Sequence, residues 1–273
     1  MHERLIEILK YLLVGLVQGV GEILPISSSG HLVIVQNLLN IKQENLTVEV
    51  MLHIASLIAL LFYFRKQLYD LICGFFGYIF KKTQDKKYFN WGIKIIIATI
   101  PAAIAGVLLE EYIEGVFSSL LSVGIGLLIT AGLIFFTLKK DGNKKIEGIS
   151  YFSVLLIGLF QSVAVLPGIS RSGATMAGGR TQKLDKEEAS VFAFMLFIPV
   201  SLGALVLKLS DIGEVLHNSP SVLPLVVSFI TALVSTYLAL KLIFNLIRKG
   251  KFQYFAYYCI AVGVFTIIYS FLK

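Results

Sequence analysis

The chain has 273 residues, of which 56% are apolar or aromatic and only 15% charged, with a net charge of +7. Soluble domains carry about a quarter charged residues and about 45–50% apolar ones, so a disordered chain, a secreted disulfide scaffold and most soluble enzymes are excluded. The basic residues sit in short loops between apolar runs, where they set membrane topology; the expected partner is a lipid bilayer, with no nucleic acid.

In chain order, residues 5–39 are apolar but interrupted at Leu24-Pro25-Ile26-Ser27-Ser28-Ser29-Gly30-His31. Residues 48–64 form a run long enough to span, whereas 68–80 is too short and reads as interfacial. Runs over 93–109 and 116–138 span next. Residues 150–178 are again apolar and broken, at Leu166-Pro167-Gly168-Ile169-Ser170-Arg171-Ser172-Gly173. Runs over 189–207, 221–245 and 254–272 complete the set. Helices near 20 residues match about 30 Å of hydrocarbon. In each broken run a proline stops one helix and a serine-rich turn caps the next. Irregular backbone at membrane depth is tolerated only where protein buries it or a cavity receives it. The expected fold is therefore an all-α integral membrane protein, one domain over 1–273, with six transmembrane helices and two re-entrant helix–loop–helix hairpins. The N-terminal stretch reads as mature protein, because Gln18, Glu22 and Pro25 interrupt it and no A-x-A-like site follows. Cys73 and Cys259 lie far apart in apolar segments and read as packing residues.

The two broken runs are related. Leu13-Val14-Gly15-Leu16-Val17-Gln18 aligns with Leu156-Ile157-Gly158-Leu159-Phe160-Gln161, and Ile26-Ser27-Ser28-Ser29-Gly30 with Ile169-Ser170-Arg171-Ser172-Gly173, both at an offset of 143. If the 48–64 helix ends in the cytoplasm and both hairpins return to the side they entered, 18 of the 24 basic residues are cytoplasmic, five are outside and Arg171 is inside a hairpin. That split puts both termini outside and makes the hairpins enter from opposite faces. An inverted-topology repeat with halves of about 1–140 and 150–273 follows, an architecture that places binding sites where broken helices meet at mid-membrane.

Gln18 and Glu22 are four residues apart and share a helix face. Gly15 and Gly19 lie on a similar face and allow close helix approach. An ionisable group inside a membrane is a functional candidate. Ser27, Ser28 and Ser29 offer hydroxyls and free helix N-terminal amides to an anion, and His31 can serve as general base or as nucleophile toward phosphorus. Arg171 supplies a fixed charge suited to bidentate phosphate binding, and Ser172, Thr175 and nearby amides can complete a cradle. A structural Arg171–Glu22 ion pair is the competing reading and is compatible with substrate binding. Glu49 and His53 are also four apart, near the mouth of the first hairpin, and read as supporting groups, metal ligands or plain interfacial residues. Carboxylate, imidazole, hydroxyls and one arginine buried in a membrane bundle suit phosphoryl transfer, which needs charge neutralisation and positioning.

The stretch from Gln18-Gly19-Val20-Gly21-Glu22 to Ser27-Ser28-Ser29-Gly30-His31 resembles the first signature of bacterial undecaprenyl-diphosphate phosphatases, the bacitracin-resistance family. Pro167-Gly168-Ile169-Ser170-Arg171-Ser172-Gly173-Ala174-Thr175 resembles their second. The resemblance implies a multi-pass enzyme of the bacterial cell membrane that converts undecaprenyl diphosphate to undecaprenyl phosphate and inorganic phosphate. It thereby implies recycling of the lipid carrier for peptidoglycan synthesis, resistance to bacitracin, and dependence on a divalent cation, Mg2+ or Ca2+. The family accepts Glu or Gln at the position of Gln18 and requires Glu at Glu22. Its serine pair falls on Ser27 and Ser28, its histidine on His31, and its second polar set on Ser170, Arg171 and Thr175. With Gln at position 18, the metal relies on Glu22, phosphate oxygens and Glu49; His53 stands where many members have Gln.

The expected catalytic residues are thus Glu22, Ser28, His31 and Arg171. Gln18, Ser27, Ser29, Ser170, Ser172, Gly173 and Thr175 are expected to bind substrate. The diphosphate is expected from the outer face, with its polyprenyl tail in a lipid-open groove. Ser28, His31 and water all stand as candidate nucleophiles, and a homodimer is left open. Two rivals remain. A type 2 phosphatidic acid phosphatase shares Ser29-Gly30-His31 and Ser170-Arg171 but wants a histidine where Ala177 stands. A transporter or flippase shares the inverted repeat but turns nothing over.

Overall fold

Pro25 and Pro167 fall between helices, whereas Pro101 and Pro199 lie inside them. A computed structural model describes residues 2–39, 41, 46–83, 85–116, 119–139, 142–207 and 222–272. Eleven α-helices lie within them: α1 (His2–Ile23), α2 (Ser28–Leu38), α3 (Leu46–Tyr63), α4 (Arg65–Ile79), α5 (Lys87–Val116), α6 (Leu120–Leu138), α7 (Tyr151–Val163), α8 (Arg171–Thr181), α9 (Lys186–Leu207), α10 (Val222–Arg248) and α11 (Gln253–Leu272). Ser27, Ser119, Ser150 and Ser170 each accept a backbone N–H from three residues on, capping α2, α6, α7 and α8. Among the described residues there is no strand, only an isolated bridge between Lys144 and Leu184.

Segments of α5, α6, α9, α10 and α11 are each long and apolar enough to cross a bilayer. The expected span over 48–64 falls on α3, which meets α4 at a bend of 78°. A sixth crossing is reached only if α3 and α4 form one broken span. The short run at 68–80 falls on α4, where Tyr69, Phe76 and Phe80 are exposed. Large apolar side chains cover the outside of the molecule, among them Phe62, Ile104, Leu108, Ile230, Leu238, Phe265 and Phe271. A soluble monomer does not expose apolar surface on that scale, whereas a lipid-facing surface requires it.

Both broken runs fold back as helix pairs, with α1 packed on α2 and α7 on α8. The larger contacts join distant segments: α1 lies along α10, α7 against α5, and α6 against α11. Close approach of α1 to α10 rests on Gly15 and Gly19, where an added Cβ would strike the Ser228 and Ala232 carbonyls. The main core cluster gathers Leu60, Phe64, Leu127, Phe194, Leu240 and Ile243 with Ile23 and Ile34 of the first pair and Met176 of the second.

The loop before α7 is pinned to the one after α8. Lys94 Nζ donates to the carbonyls of Ile146 at 2.6 Å and Glu147 at 3.1 Å. The Ile146 N–H donates to Glu188 Oε2 at 3.1 Å. The Lys144 N–H donates to the Lys183 carbonyl at 2.9 Å, and the Asp185 N–H to the Lys144 carbonyl at 3.0 Å.

Candidate active site at the hairpin tips

The first tip is built so that a serine meets a carboxylate. Pro25 follows the end of α1, and Ser27 turns the chain with φ 67° and ψ 95° before α2 begins. That conformation is uncommon for a residue other than glycine. A Cβ on Gly21 would lie 2.9 Å from Ser28 Cα, so glycine there lets the two segments close. Ser28 Oγ donates to Glu22 Oε2 at 2.6 Å, a short, charge-assisted bond. Gln18 Nε2, one turn earlier, donates to the same oxygen at 3.0 Å. From α3, His53 Nδ1 lies 3.3 Å from Glu22 Oε2 and 3.1 Å from Gln18 Nε2. A single ring nitrogen either donates to the carboxylate or accepts from the amide, so one of these bonds is made at a time.

The second tip is held from α6. Thr130 Oγ1 donates to the Gly168 carbonyl at 2.9 Å and accepts the Ser170 N–H at 2.9 Å. Gly168 has φ 84°, a conformation that favours glycine. A Cβ on Gly30 would stand 3.0 Å from Gly168 Cα, so the two tips touch. Ser170 Oγ accepts the Gly173 N–H at 3.1 Å and pairs with Ser172 Oγ at 3.2 Å. Arg171 reaches from α8 to the first hairpin, with its guanidinium 3.7 Å from Glu22 Oε1 and 5.2 Å above the Phe197 ring. The Arg171 side chain is 30% exposed and that of Glu22 4%, so the arginine keeps a free side from which to bind an anion.

A cavity of about 320 Å³ opens over this cluster. Glu22, Ser27, Ser28, Ser29, His53, Gln161, Ser170 and Arg171 supply its polar wall; Ala102, Val165, Ile169, Val200 and Ala204 supply the apolar one. A smaller cavity of about 80 Å³ shares His53, Arg171, Val200 and Ala204 and adds Ile54, Leu57 and Leu205.

The expected residues are not all equally placed. Gln18, Glu22, Ser28 and Arg171 converge on one carboxylate, and Ser27, Ser29 and Ser170 join Glu22, Ser28 and Arg171 on the cavity wall. Ser172, Gly173 and Thr175 lie behind that wall, buried in α8; Thr175 Oγ1 donates to the Arg171 carbonyl at 2.7 Å. His31 also lies off the wall, with Nδ1 2.9 Å from the Ser27 carbonyl and Nε2 2.9 Å from the Tyr258 hydroxyl. Glu49 belongs to α3, but its side chain falls outside the described residues.

Among the described residues no cluster of three His, Cys, Asp or Glu is poised for a metal. The oxygens at hand are those of Glu22 and the Gln18 amide, whose Oε1 is buried without a hydrogen-bond partner. One carboxylate and one amide carbonyl fit a hard cation such as Mg2+ or Ca2+ that draws its other ligands from phosphate and water.

Four contributors escaped the sequence reading: Gln161 on the cavity wall, Phe197 under Arg171, Thr130 behind the second tip and Tyr258 behind the first. Gln161 carried a signal, since it aligns with Gln18 in the repeat; its Nε2 is buried without a partner. The other three lie on distant segments with no local pattern to mark them.

A family model described as bacitracin resistance protein BacA matches residues 11–265. The chain belongs to the bacitracin resistance protein BacA family. It is 42% identical over 268 residues to undecaprenyl-diphosphatase 2 of Bacillus thuringiensis (strain Al Hakam), covering 98% of this chain and 99% of that protein. It is 41% identical to the undecaprenyl-diphosphatase of Oceanobacillus iheyensis, covering 96% of each chain. It is 39% identical to the undecaprenyl-diphosphatase of Methanosphaera stadtmanae, covering 97% of this chain and 99% of that protein. Family membership and the apolar helices together make this BacA-family chain a multi-pass membrane protein.

Proposed function

We propose that this chain hydrolyses undecaprenyl diphosphate to undecaprenyl phosphate and inorganic phosphate. The observation that carries the reading is the Ser28 hydroxyl, 2.6 Å from Glu22 on a cavity wall that also presents Arg171. Names of the related proteins supply the substrate. Ser28 Oγ attacks the terminal phosphorus while Glu22 takes its proton. The bond from that phosphorus to the bridging oxygen breaks, and the lipid monophosphate leaves. Water then cleaves the phosphoserine, with Glu22 returning the proton to Ser28. Arg171, the Gln161 amide and the Ser29 and Ser170 hydroxyls hold phosphate oxygens and neutralise charge in the transition state. Ile54, Leu57, Val200 and Leu205 offer the first isoprene units an apolar path away from the site. Glu22 and Gln18 would hold a divalent cation, which when bound withdraws charge from the phosphates.

We read the architecture as six spans and two re-entrant hairpins in an inverted repeat. Exchanging the halves maps the α1–α10 contact onto α7–α5, and the α6–α11 contact onto itself, which supports the two-fold relation. Positive-inside counting puts the end of α5, the end of α9 and the start of α3 outside. The outer halves of those helices contribute Ala102, Gly106, Val200, Ala204 and His53 to the cavity, so the site opens to the outer face of the cell membrane. A phosphatase there returns carrier lipid to cell-wall synthesis and lowers the diphosphate available to bacitracin.

The test is phosphate release from undecaprenyl diphosphate by purified protein in detergent, with Mg2+, with Ca2+ and with chelator, for wild type and Arg171→Ala. Cation-dependent release that the substitution abolishes is expected. Folded wild type that binds the lipid but releases no phosphate under any of these conditions would overturn the enzyme reading in favour of lipid transport.

A further inference from the structure

Behind the first hairpin tip, a tyrosine from the far end of the chain meets His31. Its hydroxyl, on Tyr258 of α11, lies 2.9 Å from His31 Nε2, and the two rings are parallel within 10° at a centroid distance of 5.5 Å. On the other edge of the ring, Nδ1 lies 2.9 Å from the Ser27 carbonyl. A carbonyl only accepts, so the Nδ1 position carries the proton. In the neutral ring Nε2 then has a lone pair, and the tyrosine hydroxyl donates to it. Both ring nitrogens are engaged, and neither borders the cavity.

The carbonyl at the end of this chain belongs to the residue with the unusual backbone. Ser27 has φ 67°, and its oxygen accepts twice, from His31 Nδ1 and from the His31 backbone N–H at 3.2 Å. The next residue is Ser28, whose Oγ rests 2.6 Å from Glu22. Orientation of the Ser27 peptide therefore decides where the Ser28 hydroxyl points.

We propose that Tyr258 and His31 form a clamp, in which the Ser27 carbonyl keeps the imidazole proton on Nδ1, Tyr258 donates to Nε2 and holds the ring in place, and His31 holds the Ser27 carbonyl so that Ser28 faces Glu22. Both are positioning residues; neither attacks phosphorus. The proposal rests on the phosphatase reading of this site. It extends that reading by assigning a residue some 230 positions from the nucleophile to nucleophile alignment and by removing His31 from the chemistry.

Four variants and one spectrum test it. Misplacing a reacting group by about 1 Å costs about 100-fold in rate, so His31→Leu should lose about that much in kcat. His31→Asn keeps an N–H where Nδ1 stands and should recover most of that turnover, since a clamp needs the donor and not the imidazole. Tyr258→Phe keeps the ring and loses the hydroxyl; it should lower kcat about tenfold with KM unchanged. In the His31→Asn background the Tyr258→Phe change should have no further effect, because the shorter amide leaves no Nε2 for the hydroxyl to hold. Imidazole 15N NMR of the purified protein, with His31 assigned from the His31→Asn sample, should show the proton on Nδ1 in wild type. An inactive but folded His31→Asn protein beside active wild type would overturn the clamp and return His31 to the chemistry. A proton found on Nε2 would overturn it whatever the turnover. Absence of turnover in wild type with the proton on Nδ1 would refute the phosphatase reading and leave the clamp geometry standing.

Discussion

Replacing Thr130 by valine keeps the shape of the side chain and deletes one oxygen. That oxygen accepts the Ser170 N–H and donates to the Gly168 carbonyl, each at 2.9 Å. Thr130 and Ser170 are both buried, at 0% and 2% exposure, so no water replaces it. An orphaned buried N–H costs about 1–3 kcal/mol, and a side-chain hydrogen bond between membrane helices is worth about 0.6–2 kcal/mol. The sum is about 2–5 kcal/mol, which at about 2–4 °C per kcal/mol lowers the thermal midpoint by about 4–20 °C for a chain of this size. The same loss frees the residue that caps α8 and precedes Arg171, so turnover should fall about tenfold or more, each tenfold corresponding to about 1.4 kcal/mol. Thr130→Ser retains the oxygen and should keep most of both properties. Thermal unfolding in detergent and steady-state phosphate release are the assays. A valine variant with unchanged midpoint and turnover, or a serine variant as damaged as the valine one, would refute the assignment of Thr130 as the anchor of the second tip.

Three further outcomes are expected. Ser28→Ala should cut phosphate release by about 1,000-fold or more while retaining lipid binding, measured by turnover and by quenching with a fluorescent diphosphate analogue, because it removes the proposed nucleophile. Gly19→Ala places a Cβ against Ser235 Oγ and the Ala232 carbonyl; it should destabilise the fold by about 1–3 kcal/mol, read as a lower unfolding midpoint, whereas Gly106→Ala, which meets nothing within 4 Å, should leave the midpoint in place. Lys94→Met leaves the Ile146 and Glu147 carbonyls without their buried donor and should open the loop before α7, seen as faster proteolysis at 142–150.

Both hairpins could be read from the sequence because proline and serine act locally: Pro25 and Pro167 break helices, and Ser27 and Ser170 cap the ones that follow. Apolar length likewise reveals a span wherever it is uninterrupted. It leaves α3 undecided, because a sixth crossing there depends on a bend of 78° that hydropathy does not encode. Residues four apart on one helix, such as Gln18 and Glu22, could be paired in advance. Their partners His53 and Arg171 come from other elements; Arg171 was expected because a buried guanidinium needs an anion. Thr130 and Tyr258 are ordinary helical residues whose hydroxyls matter only through what α6 and α11 bring beside the tips. His31 shows the limit most clearly, since the sequence marks a histidine in a polar motif but not that the Ser27 carbonyl and the Tyr258 hydroxyl engage its two nitrogens.

The pairing of α1 with α10 also sets a schedule for synthesis. The two helices are separated by roughly 200 residues, and at about 5–20 residues per second the ribosome needs about 10–40 s to cover that distance. During that interval α1 lacks the helix it lies along, and for about the first three quarters of it Glu22 lacks Arg171 as well. A charged side chain carried into lipid costs about 2.5–3.5 kcal/mol on an insertion scale, so Glu22 makes the first segment a poor one to leave in lipid alone. Emergence of α10 supplies the surface that α1 lies along, and a nascent chain halted before Val222 would carry an α1 resting only on α2 and α3.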